Sequence, residues 1–426
     1  MSTTATSGSA RPAAPPAPPT RHSWPAVVSV TLGVFSVVTA EILPIGLLTS
    51  IGSSFTVSDG TAGLMMTMPG FLAAVSAPLV TAAIGRADRR LVLAAFVLLL
   101  AVADFLAAAA SDYWLVLVSR VLVGVTIGGF WSVGAGLAGR LVPAGSVGRA
   151  TAVIFSAVPL GSVLGVPLGT YVGEAAGWRT AFLAMGGFTL AVLVLLLVTV
   201  PPLPSRGATR LGVLGGTLRG TGTRFALAAT FLVVPAHFGT YTYVAPFLER
   251  VTHAGPGLVT LSLLVYGAAG IAGNFLGGAA AARRPRAAFA TAAATISGAT
   301  LLLPVLGREE AGATALLVVW GAAYGAVPVC SQTWFARAVP GNPEAASVLF
   351  TASFQAAISL GALAGGAVLD RSSPATVMVL GGVTAALTLP VAWAHRSLRR
   401  PAVPVGPDAG DGRGHPDRAP SRARRP

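Results

Sequence analysis

The chain has 426 residues, of which 54% are hydrophobic and only 10% are charged, and its mean hydropathy is +0.76. Soluble domains carry about 25% charged residues, so this chain is predicted to lie in a membrane. All 28 basic residues are arginine, which excludes a P-loop ATPase site and a Schiff-base lysine. The single Cys330 excludes an internal disulfide and a multi-cysteine metal site.

Twelve apolar segments follow an N-terminal tail. Residues 1–24 are rich in Ser, Thr, Ala and Pro, which is typical of a disordered segment. Each apolar segment has about 20 residues, enough to cross the roughly 30 Å hydrocarbon core of a bilayer. These predicted spans, numbered one to twelve, lie near residues 26–49, 62–84, 91–110, 115–141, 151–172, 181–199, 225–247, 258–281, 287–306, 314–336, 345–368 and 375–394. We therefore predict an all-α integral membrane protein.

The arginines predict the orientation. With the N-terminus in the cytoplasm, most of them fall in cytoplasmic loops and tails, as the positive-inside rule requires. Only a few lie elsewhere, namely Arg179, Arg250, Arg308 and Arg371 in outer loops and Arg120 within span four. Membrane topology thus explains the net charge of +14, and we expect no nucleic-acid partner. Both termini are predicted to be cytoplasmic.

A long cytoplasmic loop divides the spans into two groups of six. Residues 200–224 are rich in Pro, Gly and Arg, a composition typical of a linker. We predict one helical bundle at 25–199 and a second at 225–395, with a disordered basic tail at 396–426.

The two halves resemble each other in sequence. Gly124-x-x-x-Gly128 in span four corresponds to Gly321-x-x-x-Gly325 in span ten, and each pair is followed by a short R-x-V-P motif. Two parallel six-span repeats are one layout of secondary transporters, which bind their substrates near the midplane between the repeats.

The turn after span two is densely charged. Its sequence, GRADRR, contains Arg86, Asp88, Arg89 and Arg90. One interpretation is a charged turn that only fixes topology. The alternative is a latch, in which these groups pair with a neighbouring helix end in one conformation and release it in another.

Span five carries glycines at every fourth position. Gly161, Gly165 and Gly169 share one helix face, which lets another backbone approach closely. Pro167 removes a helix hydrogen bond and is expected to bend the span. We assign these four residues to gating and conformational change.

Three ionisable residues lie at a similar predicted depth. Counting 1.5 Å per residue, Glu41, Asp104 and Arg120 lie roughly 8–14 Å below the outer surface. Intramembrane charges are expensive and typically functional, so these three are our candidates for proton coupling. Spans three and four form a hairpin, which favours Asp104–Arg120 as the local pair. Glu41 could carry the proton, hold Arg120, or alternate between the two.

His237 lies in the middle of span seven, one turn from Tyr241. A structural role is the simpler interpretation, but His237 also stays a candidate for the cavity wall. The other candidates are polar or aromatic residues within spans, each of which could instead serve packing: Trp131, Tyr241, Asn274, Tyr324, Gln332 and Gln355. A largely aromatic wall suits amphiphilic or planar ligands.

Taken together, these motifs resemble the major facilitator superfamily, and within it the twelve-span drug–proton antiporters of the arabinose-efflux and purine-nucleoside-exporter branch. The resemblance covers about residues 26–395. It rests on TAEILPIGLL in span one, GRADRR after span two, RVLVGVTIGGFW in span four, and GVPLGT followed by GWRTAF around span five.

The chain departs from the family at two motifs. The usual loop after span two is G-x-L-x-D-R-x-G-R-R, whereas here Thr81, Gly85 and Asp88 replace the first glycine, the aspartate and the second glycine. In span five Val166 separates Gly165 from Pro167, which the family's antiporter motif places side by side.

The resemblance implies two pseudo-symmetric six-helix bundles around a central cavity, with spans one and four both lining it, which favours a Glu41–Arg120 pair. It also implies efflux driven by proton entry, with a drug-, antibiotic- or nucleoside-like substrate. We expect no cofactor and a location in the bacterial cytoplasmic membrane, and, because one chain contains both repeats, we expect it to function as a monomer. Alternatives are a sugar or nucleoside uniporter or importer and, more remotely, a channel or an intramembrane enzyme.

Overall fold

The structure, a computed structural model, describes residues 23–83, 87–134, 137–204, 217–339 and 343–397. Within these ranges the regular secondary structure is entirely helical. Eleven helices are long and apolar enough to cross a membrane, and a pair of helices bent by 43° between Tyr241 and Val244 supplies a twelfth span. The predicted all-α membrane fold is thus confirmed.

In the first half, the spans and the short elements between spans four and five have the following bounds. Span one comprises Ser23–Ile42, the 3-10 turn Leu43–Leu47 and Leu48–Ser54; span two Asp59–Ala62 and Leu64–Ala83; span three Arg89–Ala108; span four Tyr113–Gly134; the connecting elements are Ala138–Leu141 and the 3-10 turn Ala144–Ser146; span five is Val147–Ala176 and span six Trp178–Thr199.

The second half has the same number of spans. Span seven comprises Thr221–Tyr241 and Val244–Arg250; span eight is Pro256–Arg283; span nine Pro285–Leu306; span ten Glu310–Ala338; span eleven Pro343–Leu369; and span twelve Pro374–Ala386 and Thr388–Ser397. With twelve crossings, span one begins and span twelve ends at the same side of the bundle, which we call the terminal face. The other side is the opposite face.

Each half has its own hydrophobic core. One cluster of buried side chains lies mainly between Ala26 and Leu203, and the other mainly between Ala226 and Ala385. A few residues pack in the core of the other half, among them Ile45 of span one and Tyr243 of span seven. The two halves therefore fold around separate cores and still share a packed interface.

Glycines set equivalent helix contacts in the two halves. A Cβ on Gly124 or Gly128 of span four would lie within 3 Å of backbone atoms of span two. A Cβ on Gly321 or Gly325 of span ten would lie 2.1 or 2.0 Å from carbonyl oxygens of span eight. The repeated G-x-x-x-G motifs thus allow close helix packing at equivalent positions in both halves.

The two halves are hydrogen-bonded to each other from mid-depth to the opposite face. The bonds between halves whose two partners are both described connect Glu41 to Gln355, Thr67 to Ser359, Thr49 to Glu249, Glu174 to Thr260, Asp59 to Arg250, and both Ser58 and Gly60 to Asp370. Because spans two and eleven cross close to each other here, the halves are held together on the opposite face.

Candidate functional site

Span one is interrupted immediately after Glu41. The helix ends at Ile42, and residues 43–47 form a 3-10 turn. Pro44 has no N–H, so it cannot donate to the carbonyl of Ala40 four residues earlier. Gly46 lets this turn approach span five, since a Cβ there would lie 2.0 Å from Oγ1 of Thr170.

Arg120 supplies the hydrogen bond that Pro44 cannot make. Its Nη1 donates to the Ala40 carbonyl oxygen at 2.8 Å, and its Nη2 lies 3.8 Å from Oδ1 of Asp104. The Arg120 and Asp104 side chains are both fully buried, and the guanidinium carbon lies 5.1 Å from the centre of the Phe182 ring. Arg120 therefore connects spans one, three and four around the break in span one.

The predicted Glu41–Arg120 pair does not form in this structure. The guanidinium points to the carbonyl next to Glu41 and to Asp104, so the pair expected from the span three–span four hairpin is the one present. The physical reason is the unpaired Ala40 carbonyl, which a buried donor must satisfy. The assignment of Asp104 and Arg120 to proton coupling stays a prediction.

Glu41 faces the other half of the protein. Its Oε1 accepts a hydrogen bond of 2.9 Å from Nε2 of Gln355 on span eleven. Glu41 is half-buried, whereas Gln355 is buried. None of the described cations forms an ion pair with Glu41. A carboxylate without a cation thus lies on the surface between the two halves.

A cluster of aromatic rings surrounds His237 in the second half. The ring of Tyr324 lies on that of His237 with centroids 3.4 Å apart and an interplanar angle of 6°. Tyr241 is nearly parallel to His237 at 5.2 Å, and Tyr266 is nearly parallel to Tyr241 at 4.4 Å. Trp320 packs edge-on against His237 at 5.5 Å. We call these five residues the aromatic cluster.

Hydrogen bonds fix the protonation of His237. Nε1 of Trp320 lies 3.1 Å from Nδ1 of His237, and an indole nitrogen can only donate. Nδ1 must therefore be an acceptor, which places the ring hydrogen on Nε2, 3.4 Å from the hydroxyl of Tyr266. Because both ring nitrogens are engaged and the side chain is fully buried, His237 is a neutral structural group in this state.

The remaining predicted cavity residues lie elsewhere. Trp131 is half-buried against Phe155 of span five, at 5.9 Å between ring centroids. Asn274 is half-buried on span eight. Gln332 is exposed and lines a cavity of about 390 Å³ that also includes Arg337 and Ser347. None of the three makes a described hydrogen bond or ring contact with the aromatic cluster or Glu41.

The contacts of the charged turn after span two that the described residues show lie within the first half. Asp88 caps span three by accepting from the backbone N–H of Arg90, and it also accepts from the N–H of Leu203, both at 2.9 Å. The N–H of Arg89 donates to the carbonyl of Leu203 at 2.9 Å, and the guanidinium of Arg90 donates to Leu197. Arg86 lies outside the described residues. The turn therefore ties the start of span three to the end of span six.

The glycine face of span five packs against span one. A Cβ on Gly161, Gly165 or Gly169 would lie 3.0, 3.1 or 2.2 Å from side chains of Val38, Thr39 and Leu43, respectively. The helix continues without interruption past Pro167 from Val147 to Ala176. These glycines thus hold the helix of Glu41 in place.

Sequence reasoning missed a polar network on the opposite face. Asp370, at the end of span eleven, accepts hydrogen bonds from Oγ of Ser58 at 2.8 Å and from the backbone N–H of Gly60 at 3.0 Å. Arg250 of span seven forms an ion pair with Asp59. Ser58, Asp59, Arg250 and Asp370 border a cleft of about 550 Å³. We call the network of these four residues and Gly60 the outer latch. Its residues lie at loop ends, where charged side chains are common and carry little sequence signal.

Comparison with known proteins identifies the family. The family model described as Major Facilitator Superfamily matches residues 30–362. Proteins named purine ribonucleoside efflux pump NepI, from Escherichia coli (strain K12) and from Shigella flexneri, are each 31% identical over 369 residues, which cover 87% of this chain and 93% of the relative.

Solved structures share the fold. A bacterial homologue of the human lysosomal transporter Spinster, captured inward-facing and unoccupied, has a TM-score of 0.66 at 16% identity, covering 89% of this chain and 97% of that one. The human organic anion transporter MFSD10 (TETRAN) has a TM-score of 0.65 at 17% identity, covering 89% of this chain and 100% of that one. The chain, a multi-pass membrane protein built from two six-span halves, belongs to the major facilitator superfamily of transporters.

Proposed function

We propose that the chain exports purine-nucleoside-like molecules across the bacterial cytoplasmic membrane in exchange for protons, by alternating access. The observation that carries this proposal is the position of Glu41, which faces the second half of the protein and hydrogen-bonds to Gln355. The names of its bacterial relatives support the substrate class.

Glu41 is suited to taking up and releasing a proton. A carboxyl group in apolar surroundings is stable when it is protonated and neutral, or when hydrogen bonds and a cation compensate the charge of its ionised form. Here Gln355 provides one hydrogen bond to Glu41, no described cation forms an ion pair with Glu41, and Arg120 is held by Asp104 and the Ala40 carbonyl. Because Gln355 belongs to the other half, rearrangement of the halves changes how well the charge is compensated.

The bonds between the halves indicate which side of the protein is closed. With the terminal face in the cytoplasm, the outer latch closes the side away from the cytoplasm. We propose that this is the inward-facing state, which receives substrate from the cytoplasm. Proton binding from outside would then follow once the latch opens.

Reconstituted transport tests the proposal. We expect uptake of tritiated inosine into proteoliposomes to rise when their lumen is made acidic, because protons leave as substrate enters. Glu41→Gln should retain inosine exchange between the two sides but lose the response to the pH gradient. Asp112→Asn is the matched control, since Asp112 is exposed in the outer loop after span three and bonded to Ser111.

Other outcomes separate the alternatives. Uptake that ignores the pH gradient in the wild type would indicate a uniporter, and stimulation by external acid would indicate an importer. Inosine flux that unlabelled inosine on the far side does not accelerate would indicate a channel.

A further inference from the structure

We propose that the substrate's base stacks on Tyr324 and donates its ring N–H to the Glu41 carboxylate, so that the chain selects planar heterocycles with an N–H edge. This inference rests on the proposed function and specifies how that site recognises its ligand.

Tyr324 is the most exposed member of the aromatic cluster. The side chains of His237, Tyr241, Tyr266 and Trp320 are buried, whereas Tyr324 is half-buried. Its ring lies parallel to that of His237, so a planar base on Tyr324 would extend an existing stack. Stacking of a base on an aromatic side chain contributes about 1–3 kcal/mol in nucleic-acid-binding proteins and tolerates different bases.

Two hydrogen bonds fix the central ring of the stack, which is the imidazole of His237. Trp320 donates to Nδ1 of His237, and Nε2 of His237 faces the hydroxyl of Tyr266. These bonds fix the orientation of the imidazole on which Tyr324 lies. A pre-organised surface loses little conformational entropy when a ligand binds.

Glu41 provides the polar recognition element next to this surface. Ile42, the residue after Glu41, and Tyr324 both pack against the hydrophobic core of the second half. Glu41 itself accepts a hydrogen bond from Gln355 of that half, so Glu41 and Tyr324 lie along the same interface between the halves. Gln355 occupies Oε1, while Oε2 accepts no hydrogen bond from the described residues. An ionised carboxylate can only accept, so its ligand must present a donor.

Hypoxanthine and guanine present such a donor at ring position N1, and methylation at N1 removes it. Inosine and 1-methylinosine are therefore the diagnostic pair of probes. 2′-O-methylinosine carries the same additional methyl group on the ribose and leaves the base unchanged, so it controls for size.

The test is competition with tritiated inosine in counterflow by the reconstituted protein. We expect 1-methylinosine to compete at least about tenfold more weakly than inosine, as is typical when a base-specific hydrogen bond is lost. 2′-O-methylinosine should stay within about threefold of inosine. Equal competition by inosine and 1-methylinosine would overturn the inference, and this readout needs no variant.

Variants distinguish stacking on Tyr324 from the hydrogen bond between the base N–H and Glu41. Tyr324→Leu should weaken binding of inosine and 1-methylinosine about equally, by roughly tenfold, whereas Tyr324→Phe should bind normally. Glu41→Ala should remove the discrimination between the two probes. Tyr171→Leu, on the exposed face of span five, is the matched control. Wild-type affinity in Tyr324→Leu would contradict the stacking step.

The two levels of the proposal can fail separately. A wild type that moves inosine in response to the pH gradient but accepts 1-methylinosine equally well contradicts only the recognition model. A wild type that moves no inosine contradicts both.

Discussion

At the scale of single residues, Arg120 and Asp104 form a buried pair in which Arg120 also donates to Ala40 and Ser119, whereas Asp104 has no further partner among the described residues. Neither carboxylate oxygen of Asp104 has a hydrogen-bond partner among the described residues. Removing one member of such a pair leaves an uncompensated charge, which is more costly than removing both.

We therefore expect Arg120→Leu to lower the free energy of unfolding by about 3–5 kcal/mol, measured by denaturant titration in detergent. The double variant Arg120→Leu with Asp104→Leu should recover much of this loss, although the Ala40 carbonyl still lacks its donor, at about 1–3 kcal/mol.

Arg308→Leu is the control for this pair, because Arg308 is exposed and donates to Pro304 in its own turn. Its effect should stay within about 0.5 kcal/mol. A double variant as unstable as Arg120→Leu would contradict this account of the pair.

The sequence showed which charged residues lie within spans, but it did not show which of their partners they contact. The depth of Glu41, Asp104 and Arg120 followed from counting residues, because charges stand out in apolar spans. The bond from Arg120 to Ala40 did not follow: Pro44 indicates an unpaired carbonyl, but the sequence does not indicate its donor. Trp320 was not predicted as a site residue, because a tryptophan within a span usually serves to pack the hydrophobic core.

At the scale of helices, small residues decide how closely spans pack. The contact between spans eight and ten brings backbone against backbone, since a Cβ on Gly273 would lie 1.8 Å from the carbonyl oxygen of Ala322. In contrast, a Cβ on Gly298 of span nine would meet nothing within 4 Å.

Substitution of these two glycines by alanine is expected to have different effects on the free energy of unfolding. Gly273→Ala should lower the free energy of unfolding by about 1–3 kcal/mol, because the helices must move apart. Gly298→Ala should leave it unchanged or raise it by up to about 1 kcal/mol, because alanine favours helix. Thermal unfolding in detergent, followed by tryptophan fluorescence, measures both. Equal effects of the two substitutions would contradict the packing argument.

At the scale of the whole molecule, the outer latch joins the two halves through few polar contacts. Asp370 alone accepts two hydrogen bonds from the other half. Each hydrogen bond to a charged group contributes about 1.5–3 kcal/mol, which is comparable with the free-energy differences between conformations.

We expect Asp370→Ala to shift the population toward an open opposite face by about tenfold or more. Spin labels at Ala175→Cys and Glu309→Cys, both exposed at that face, would report longer distances; the buried Cys330 is replaced by alanine. Asp112→Ala should leave the distances unchanged. An unchanged distance distribution in Asp370→Ala would show that the latch does not hold the halves together.

Much of this architecture was predictable from sequence, since twelve apolar segments and two repeats with matching glycine motifs are global patterns. The pattern did not locate the helix ends. Span one, predicted near residues 26–49, continues to Ser54 and is interrupted by a 3-10 turn at Leu43–Leu47, because hydropathy alone does not indicate where a helix breaks or ends. Likewise, no local pattern indicated the contacts of the outer latch, which join residues 191 to 312 positions apart.

The missing N–H of Pro44 is a covalent feature, so it is the same in every step of a transport cycle. No rearrangement of the protein can restore the helix hydrogen bond to Ala40, and the break in span one is permanent. Any step that draws Arg120 away from Ala40 leaves a buried carbonyl without a donor, at about 1–3 kcal/mol. Motion that keeps spans one and four together avoids this cost, which favours the first half moving as a rigid body and Glu41 exchanging its partner on the second half.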